Sequence, residues 1–252
     1  MNSKNLPTNL IQIIALRIYM VYAALMFTIT FILGTPAVLL ALFFKYDRLA
    51  LIVNHYWAYV FFFLVGVRVE VIKLGALDKK ASYIFCPNHF SFLDIATMPF
   101  VPIPFKFVGK VSIAKVPLMG QIFRRFHITV DRAKLRDRYA TYKKSVDALK
   151  NGCSLTIFPE GGIRSNQPPA LESFKEGPFR MALETGSPLV PVTLADNWHI
   201  FPDDSKFYFR RRRCRIVIHE PIDPKKYTMN TIRNFQEDVK EIIQQELYRL
   251  NA

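Results

Sequence analysis

The feature that most constrains this chain lies near its start: from Ile18 to Phe44 no residue carries a charge. A helix of that extent would be about 40 Å long, more than the roughly 30 Å of bilayer hydrocarbon, so it can cross a membrane with tilt or a bend. Gly34 and Pro36 mark the natural bend, because proline removes a helical hydrogen bond and clashes with the preceding turn. A cleaved signal peptide is disfavoured, since the apolar run is too long and no small-residue cleavage site follows a short one. After Lys45 and Arg48 a second uncharged run, Leu49 to Val67, carries Tyr56, Trp57, Tyr59, Phe61, Phe62 and Phe63. It reads as the return arm of a helical hairpin. Asn54 and His55 weaken it as a spanning helix and its aromatics favour the interface, so a spanning hairpin and one lying in the headgroup layer both fit.

The chain has 252 residues and a formal net charge of +14, of which Lys4, Arg17, Lys45 and Arg48 against Asp47 account for little. That excess predicts an anionic partner: nucleic acid, an acidic membrane surface or phosphate-bearing substrates. If the hairpin spans, the basic remainder belongs on the cytoplasmic side. The run Arg210 to Arg213 is the usual composition of a solvated face or a lipid contact, and no nucleic-acid motif accompanies it, which argues against nucleic acid as the partner. Cys86, Cys153 and Cys214 are odd in number and widely spaced, as in a reducing compartment; Cys86 and Cys153 lie in or beside apolar runs and read as inert thiols.

Past Val67 short apolar runs alternate with amphipathic segments, the pattern of an α/β domain with a largely parallel sheet flanked by helices. Strands are predicted at 67–73, 83–86, 105–108, 128–130, 155–158, 189–194 and 214–219. Leu135, Tyr139, Tyr142, Val146 and Leu149 recur at helical spacing with Gly152 as a stop, and Ile232, Phe235, Val239, Ile243 and Leu247 predict a terminal helix. Residues 1–66 thus read as a membrane-associated hairpin and 67–252 as a catalytic domain.

Two segments could carry chemistry. Asn88-His89-Phe90-Ser91-Phe92-Leu93-Asp94 follows a strand stopped by Pro87, at the strand edge where α/β sheets place ligand sites. His89 could act as general base on a hydroxyl with Asp94 fixing its tautomer, or Ser91 and Asp94 could simply form a helix capping box; spacing leaves both open. Phe158-Pro159-Glu160-Gly161-Gly162-Ile163-Arg164-Ser165 places a carboxylate, two glycines and an arginine in one turn. It suits phosphate binding, and it equally suits a solvent loop.

Together these segments resemble the 1-acyl-glycerol-3-phosphate acyltransferase family of phospholipid synthesis, through most of the region after Val67. The first segment resembles that family's His-x4-Asp block. Gly120 through Asp131-Arg132 resembles the second block, whose arginine is implicated in binding the acceptor phosphate; Phe158 through Ser165 resembles the third and Leu189 to Val192 the fourth. The third block departs from the usual pattern, since Gly162-Ile163 replace a single threonine and Arg164 falls one residue later. The resemblance implies His89 and Asp94 as catalytic residues, and Arg132, Glu160, Gly161, Arg164, Lys110 and Lys175 as residues serving the acceptor. It implies direct transfer from acyl-CoA or acyl carrier protein to lysophosphatidic acid at a phospholipid membrane, without a metal or other cofactor. His55, His127, His199 and His219 show no metal-ligand spacing, and His127 and His219 fall in predicted strands as structural residues. A covalent mechanism through Ser91 is the rival enzyme reading, though the Gly-x-Ser-x-Gly elbow is missing.

Overall fold

The computed structural model describes residues 9–44, 47–110, 119–130, 134–165, 167–203 and 208–252. The two apolar runs form helices α1 (Leu10–Phe43) and α2 (Asp47–Leu64). Pro36, expected at a bend, lies inside α1, which continues through it. An apolar helix that loses one backbone hydrogen bond has strong reason to keep the rest, and the Thr35 hydroxyl adds a bond to the Phe31 carbonyl at 2.8 Å. By length and composition Leu10–Ala41 suffices to cross a membrane.

The two helices are pinned at several levels. The Tyr19 hydroxyl donates to the Val65 carbonyl and Tyr22 to that of Leu64, while Trp57 Nε1 donates to Thr30 Oγ1 at 3.1 Å. The Phe27 ring meets Trp57 and Phe61 edge-on at 5.2 and 5.6 Å. The opposite side of α2 lies against the rest of the molecule: His55 Nδ1 sits 2.6 Å from the Pro99 carbonyl, and Tyr59 and Phe62 pack on Phe100. On the outer side of α1, Ile14, Ile18, Val21, Leu25, Ile29 and Ile32 recur every three or four residues and are all exposed, one continuous apolar stripe.

All seven expected strands form: β1 (Val69–Lys73), β2 (Ile84–Pro87), β3 (Phe105–Lys110), β4 (Ile128–Val130), β5 (Ser154–Thr156), β6 (Leu189–Leu194) and β7 (Cys214–Ile218). They make one sheet ordered β1-β7-β6-β2-β5-β3-β4, parallel except for the antiparallel β6–β7 pair. β2 is central and wholly buried, as a parallel strand covered on both faces must be.

Its side chains show how the layers are divided. Ile84 and Cys86 join Leu155 and Leu189 on the face covered by α5 (Leu135–Lys150), α6 (Gly177–Thr185) and α8 (Ile232–Asn251). Phe85 points the other way, into a cluster with Phe105, Val190, Ile216, the α2 residues Ala58, Phe61 and Phe62, and Val65 just past the end of α2. The hairpin therefore supplies the second helical layer of the sandwich, together with the short α3 (Leu93–Thr97) and α4 (Met119–Phe126). α5 ends where expected, with Gly152 at φ 77° and the Cys153 N–H closing back on the Ala148 carbonyl.

Candidate active site

The polypeptide leaves β2 at Pro87, and Asn88 fastens that end sideways. Its Oδ1 accepts the Leu194 N–H at 2.7 Å and its Nδ2 donates to the Leu194 carbonyl at 3.1 Å, tying β2 to the end of β6. The next residue, His89, is 9% exposed, with Phe158 stacked on its ring at 3.9 Å between centroids. His89 Nδ1 lies 2.9 Å from Asp94 Oδ2, and the same oxygen accepts the Phe90 and Ser91 backbone N–H groups at 2.9 Å. With Nδ1–H directed at a carboxylate, Nε2 keeps its lone pair, which is the form a general base needs.

Half of the capping box also exists, since Asp94 accepts the Ser91 N–H. The other half does not. Ser91 Oγ donates to the Phe201 carbonyl at 2.5 Å and accepts the Leu93 N–H at 3.0 Å. Ser91 is fully buried and engaged away from His89, so the geometry of a serine nucleophile is not present.

The β5 end faces this turn. Gly161 turns back at φ 79°, its N–H on the Phe158 carbonyl, and leaves Glu160 fully buried. Glu160 Oε1 accepts the His89 N–H at 2.8 Å and Oε2 accepts the Glu172 N–H at 3.2 Å. Burial pushes the Glu160 carboxyl up to about 7, against the downward pull of those two N–H groups. Three successive N–H groups, of His89, Phe90 and Ser91, are thus already held by Glu160 and Asp94 and are not available to a developing oxyanion.

Beside the turn opens an apolar cavity of about 530 Å³. Phe92 and Leu93 line it at the turn, Phe107, Phe123 and His127 from the α/β body, and Phe27, Phe31 and Trp57 from the hairpin. A family model described as Acyltransferase matches residues 68–195. The chain is 30% identical over 236 residues to the 1-acyl-sn-glycerol-3-phosphate acyltransferase of Chlamydomonas reinhardtii, a match covering 89% of this chain and 69% of that one. The chain belongs to the 1-acyl-sn-glycerol-3-phosphate acyltransferase family. It is 34% identical over 162 residues to the chloroplastic 1-acyl-sn-glycerol-3-phosphate acyltransferase of Arabidopsis thaliana, spanning 44% of that relative's length. The fold is that of the 1-acyl-sn-glycerophosphate acyltransferase PlsC from Thermotoga maritima, with a TM-score of 0.79 at 23% identity over 95% of this chain and 97% of that one.

Of the eight residues predicted for an acyltransferase site, the structure brings His89, Asp94, Glu160 and Gly161 together. Arg164 and Lys175 are exposed on the connection between β5 and α6, and the Lys175 N–H donates to the Pro159 carbonyl at 2.8 Å, holding that connection against the Glu160 turn. Arg132 lies outside the described residues, as does the side chain of Lys110, whose backbone ends β3. Among the described residues no group of His, Cys, Asp and Glu could hold a metal ion. His127 accepts the Phe107 N–H at 3.2 Å and is driven down to about 3 by burial and Lys106. His219 bonds Thr193 Oγ1 at 2.8 Å and is lowered to about 4 by burial. Both are held neutral, and neither lies in a strand as expected: His127 immediately precedes β4 and His219 immediately follows β7. Burial alone pushes the Cys86 thiol upward, away from reactivity.

Sequence reasoning missed Asn197, which reaches Asp94 across 103 residues of chain, and the cavity wall built by the hairpin. Asn88 and Phe158 stood within the motif segments, but nothing in the sequence distinguished their roles.

Proposed function

We propose that this chain moves a fatty acyl group from acyl-CoA or acyl carrier protein to the sn-2 hydroxyl of 1-acyl-glycerol 3-phosphate, giving phosphatidic acid, with no metal or other cofactor. The observation that carries the reading is the His89–Asp94 pair, buried at the end of the central strand and opening beside an apolar cavity. His89 Nε2 takes the hydroxyl proton as that oxygen attacks the thioester carbonyl carbon. The C–S bond then breaks, and the leaving sulfur takes the proton back from Nε2. Asp94 holds the tautomer throughout. Arg132, Arg164, Lys110 and Lys175 hold the acceptor phosphate, while Glu160 and Gly161 serve it by shaping the loop. The cavity takes an acyl chain.

The same reading places the enzyme on a phospholipid membrane through residues 1–66, with 67–252 as the catalytic portion on the cytoplasmic side. Because α2 is covered by the α/β body, the hairpin is not free to be ringed by lipid; the exposed stripe of α1 favours embedding from one side. The test is a panel of labelled acyl donors against 1-acyl-glycerol 3-phosphate, other lysolipids and glycerol 3-phosphate, with the protein in vesicles. We expect 1-acyl-glycerol 3-phosphate to be the preferred acceptor and folded His89→Ala to be inactive. A different preferred acceptor, or substantial turnover by folded His89→Ala, refutes the reading.

A further inference from the structure

The carboxylate beside His89 has a second contact that no motif covers. Asp94 Oδ2 takes three donors, while Oδ1 takes Asn197 Nδ2 at 2.8 Å. Asn197 opens the short α7 (Asn197–Ile200) just past β6 and is 1% exposed. Its neighbours settle which way the amide faces. The Thr97 hydroxyl donates to the Leu93 carbonyl at 2.9 Å, so its oxygen can only accept, and it lies 3.0 Å from Asn197 Nδ2. On the other side the Cys214 thiol donates to Asn197 Oδ1 at 3.2 Å. The two amide hydrogens thus go to Asp94 and Thr97; a flipped amide would set oxygen against carboxylate oxygen and lose both bonds.

The segment bearing Asn197 is itself held from two directions. Asp196 receives the Arg215 guanidinium on both oxygens, Nε to Oδ2 at 2.8 Å and Nη2 to Oδ1 at 2.5 Å, together with the Arg215 N–H. From the end of α8, Asn251 meets His199 Nε2 at 3.1 Å and donates to the Ala195 carbonyl. A planar two-point ion pair and a helix end therefore fix the backbone that presents one amide to the catalytic carboxylate.

We propose that Asn197 is a positioning residue for acyl transfer, fixing the plane of the Asp94 carboxylate so that His89 is held with Nδ1–H on Asp94 and Nε2 toward the acceptor hydroxyl. This rests on the general-base reading of His89. Asn197 touches no substrate, and its effect falls on the proton-transfer step, so it governs kcat and leaves both KM values nearly untouched.

The experiment compares full-length Asn197→Leu, Asn197→Asp and His89→Ala with wild type in vesicles, measuring kcat, both KM values, melting temperature and the pH dependence of kcat. Folded Asn197→Leu should lose roughly tenfold or more in kcat, with KM for donor and acceptor within about twofold of wild type. Asn197→Asp keeps the shape, so it serves if the leucine variant does not fold, and it sets an acceptor where a donor is required. At neutral pH it should lose at least as much kcat. Part of that loss should return as the pH falls and the new carboxyl takes up a proton that it can donate to Asp94. His89, Glu160, Asp196 and Cys214, the other titratable groups around this carboxylate, are common to both proteins, so the ratio of variant to wild type isolates the new one. Wild-type kcat in folded Asn197→Leu, or in Asn197→Asp at every pH, overturns the proposal while an inactive His89→Ala leaves the general-base reading standing. A competent His89→Ala removes both.

Discussion

Replacing Asp94 by asparagine preserves shape and removes charge, and the hydrogen-bond pattern sets the cost. Oδ2 faces the His89 ring N–H and the Phe90 and Ser91 backbone N–H groups, each at 2.9 Å, whereas Oδ1 faces only Asn197 Nδ2 at 2.8 Å. The new amide will keep its oxygen toward the three donors and put its nitrogen against Asn197, so two N–H groups meet in a site sealed from water. An unsatisfied buried donor costs about 1–3 kcal/mol, and each of the three surviving bonds loses about 1 kcal/mol on becoming neutral. The sum, about 4–6 kcal/mol, far exceeds the ~1 kcal/mol of a lost helix cap and corresponds to a fall in Tm of roughly 10–20 °C for a chain of this size. The rate should suffer separately, because an amide no longer fixes the imidazole tautomer; kcat should drop by about 10²–10⁴-fold with KM values little changed. Thermal melting in detergent gives the first quantity and acyl transfer at saturating donor and acceptor gives the second. A Tm decrease of only a few degrees with kcat within tenfold of wild type would refute the argument and leave Asp94 a capping residue.

Glu160 makes a pH prediction. Its carboxyl is raised from 4.5 to about 7, so the folded protein binds a proton that the unfolded chain releases, a contribution of about 3 kcal/mol that is complete below about pH 4.5 and lost as pH rises toward 7. Glu160→Gln should remove that decline, its Tm gaining on wild type across the interval; parallel Tm–pH curves would contradict it. Arg132→Ala should raise the acceptor KM about tenfold or more with the donor KM unchanged, and Arg132→Lys should fall between, since lysine keeps the charge without the planar fork. An unchanged acceptor KM in the folded alanine variant rules out the phosphate role. Gly34 lines the cavity, and among the described residues a Cβ there would meet only Val53 Cγ1, at 3.8 Å. Gly34→Phe should therefore fold, fill part of the cavity and shorten the longest acyl chain accepted; an unaltered chain-length profile would remove the cavity from acyl binding.

The strands were legible because each carries a short, largely apolar run, unbroken by charge in the central β2 and β6, and a buried parallel sheet leaves that signature whatever surrounds it. Their ends were less so: β5 stops at Thr156, short of the expected Phe158, whose ring turns to stack on His89. The helix α6 starts with Gly177-Pro178 and spans only nine residues, too few for its period to stand out. At the site, the His89–Asp94 pair could be read because both partners sit in one turn, while the capping and catalytic readings of Asp94 differ only in which donors surround it, a matter of three dimensions. Asn197 was invisible for the same reason. Its partners Asp94 and Thr97 sit together in α3 and Cys214 opens β7, two stretches that no spacing rule joins to Asn197.

The way α2 sits against the sheet bears on how this enzyme can be handled. Ala58, Phe61, Phe62 and Val65 share a core with Phe100, Val190 and Ile216, and Phe27, Phe31 and Trp57 form one side of the cavity. A shortened protein starting at Val67, the obvious route to a water-soluble preparation, would open that core to solvent and leave the cavity as a trough. On the proposed reading, grafting another anchor onto it would restore its address but not its catalysis, for α1 and α2 would then be as much a part of the substrate's container as of its mooring.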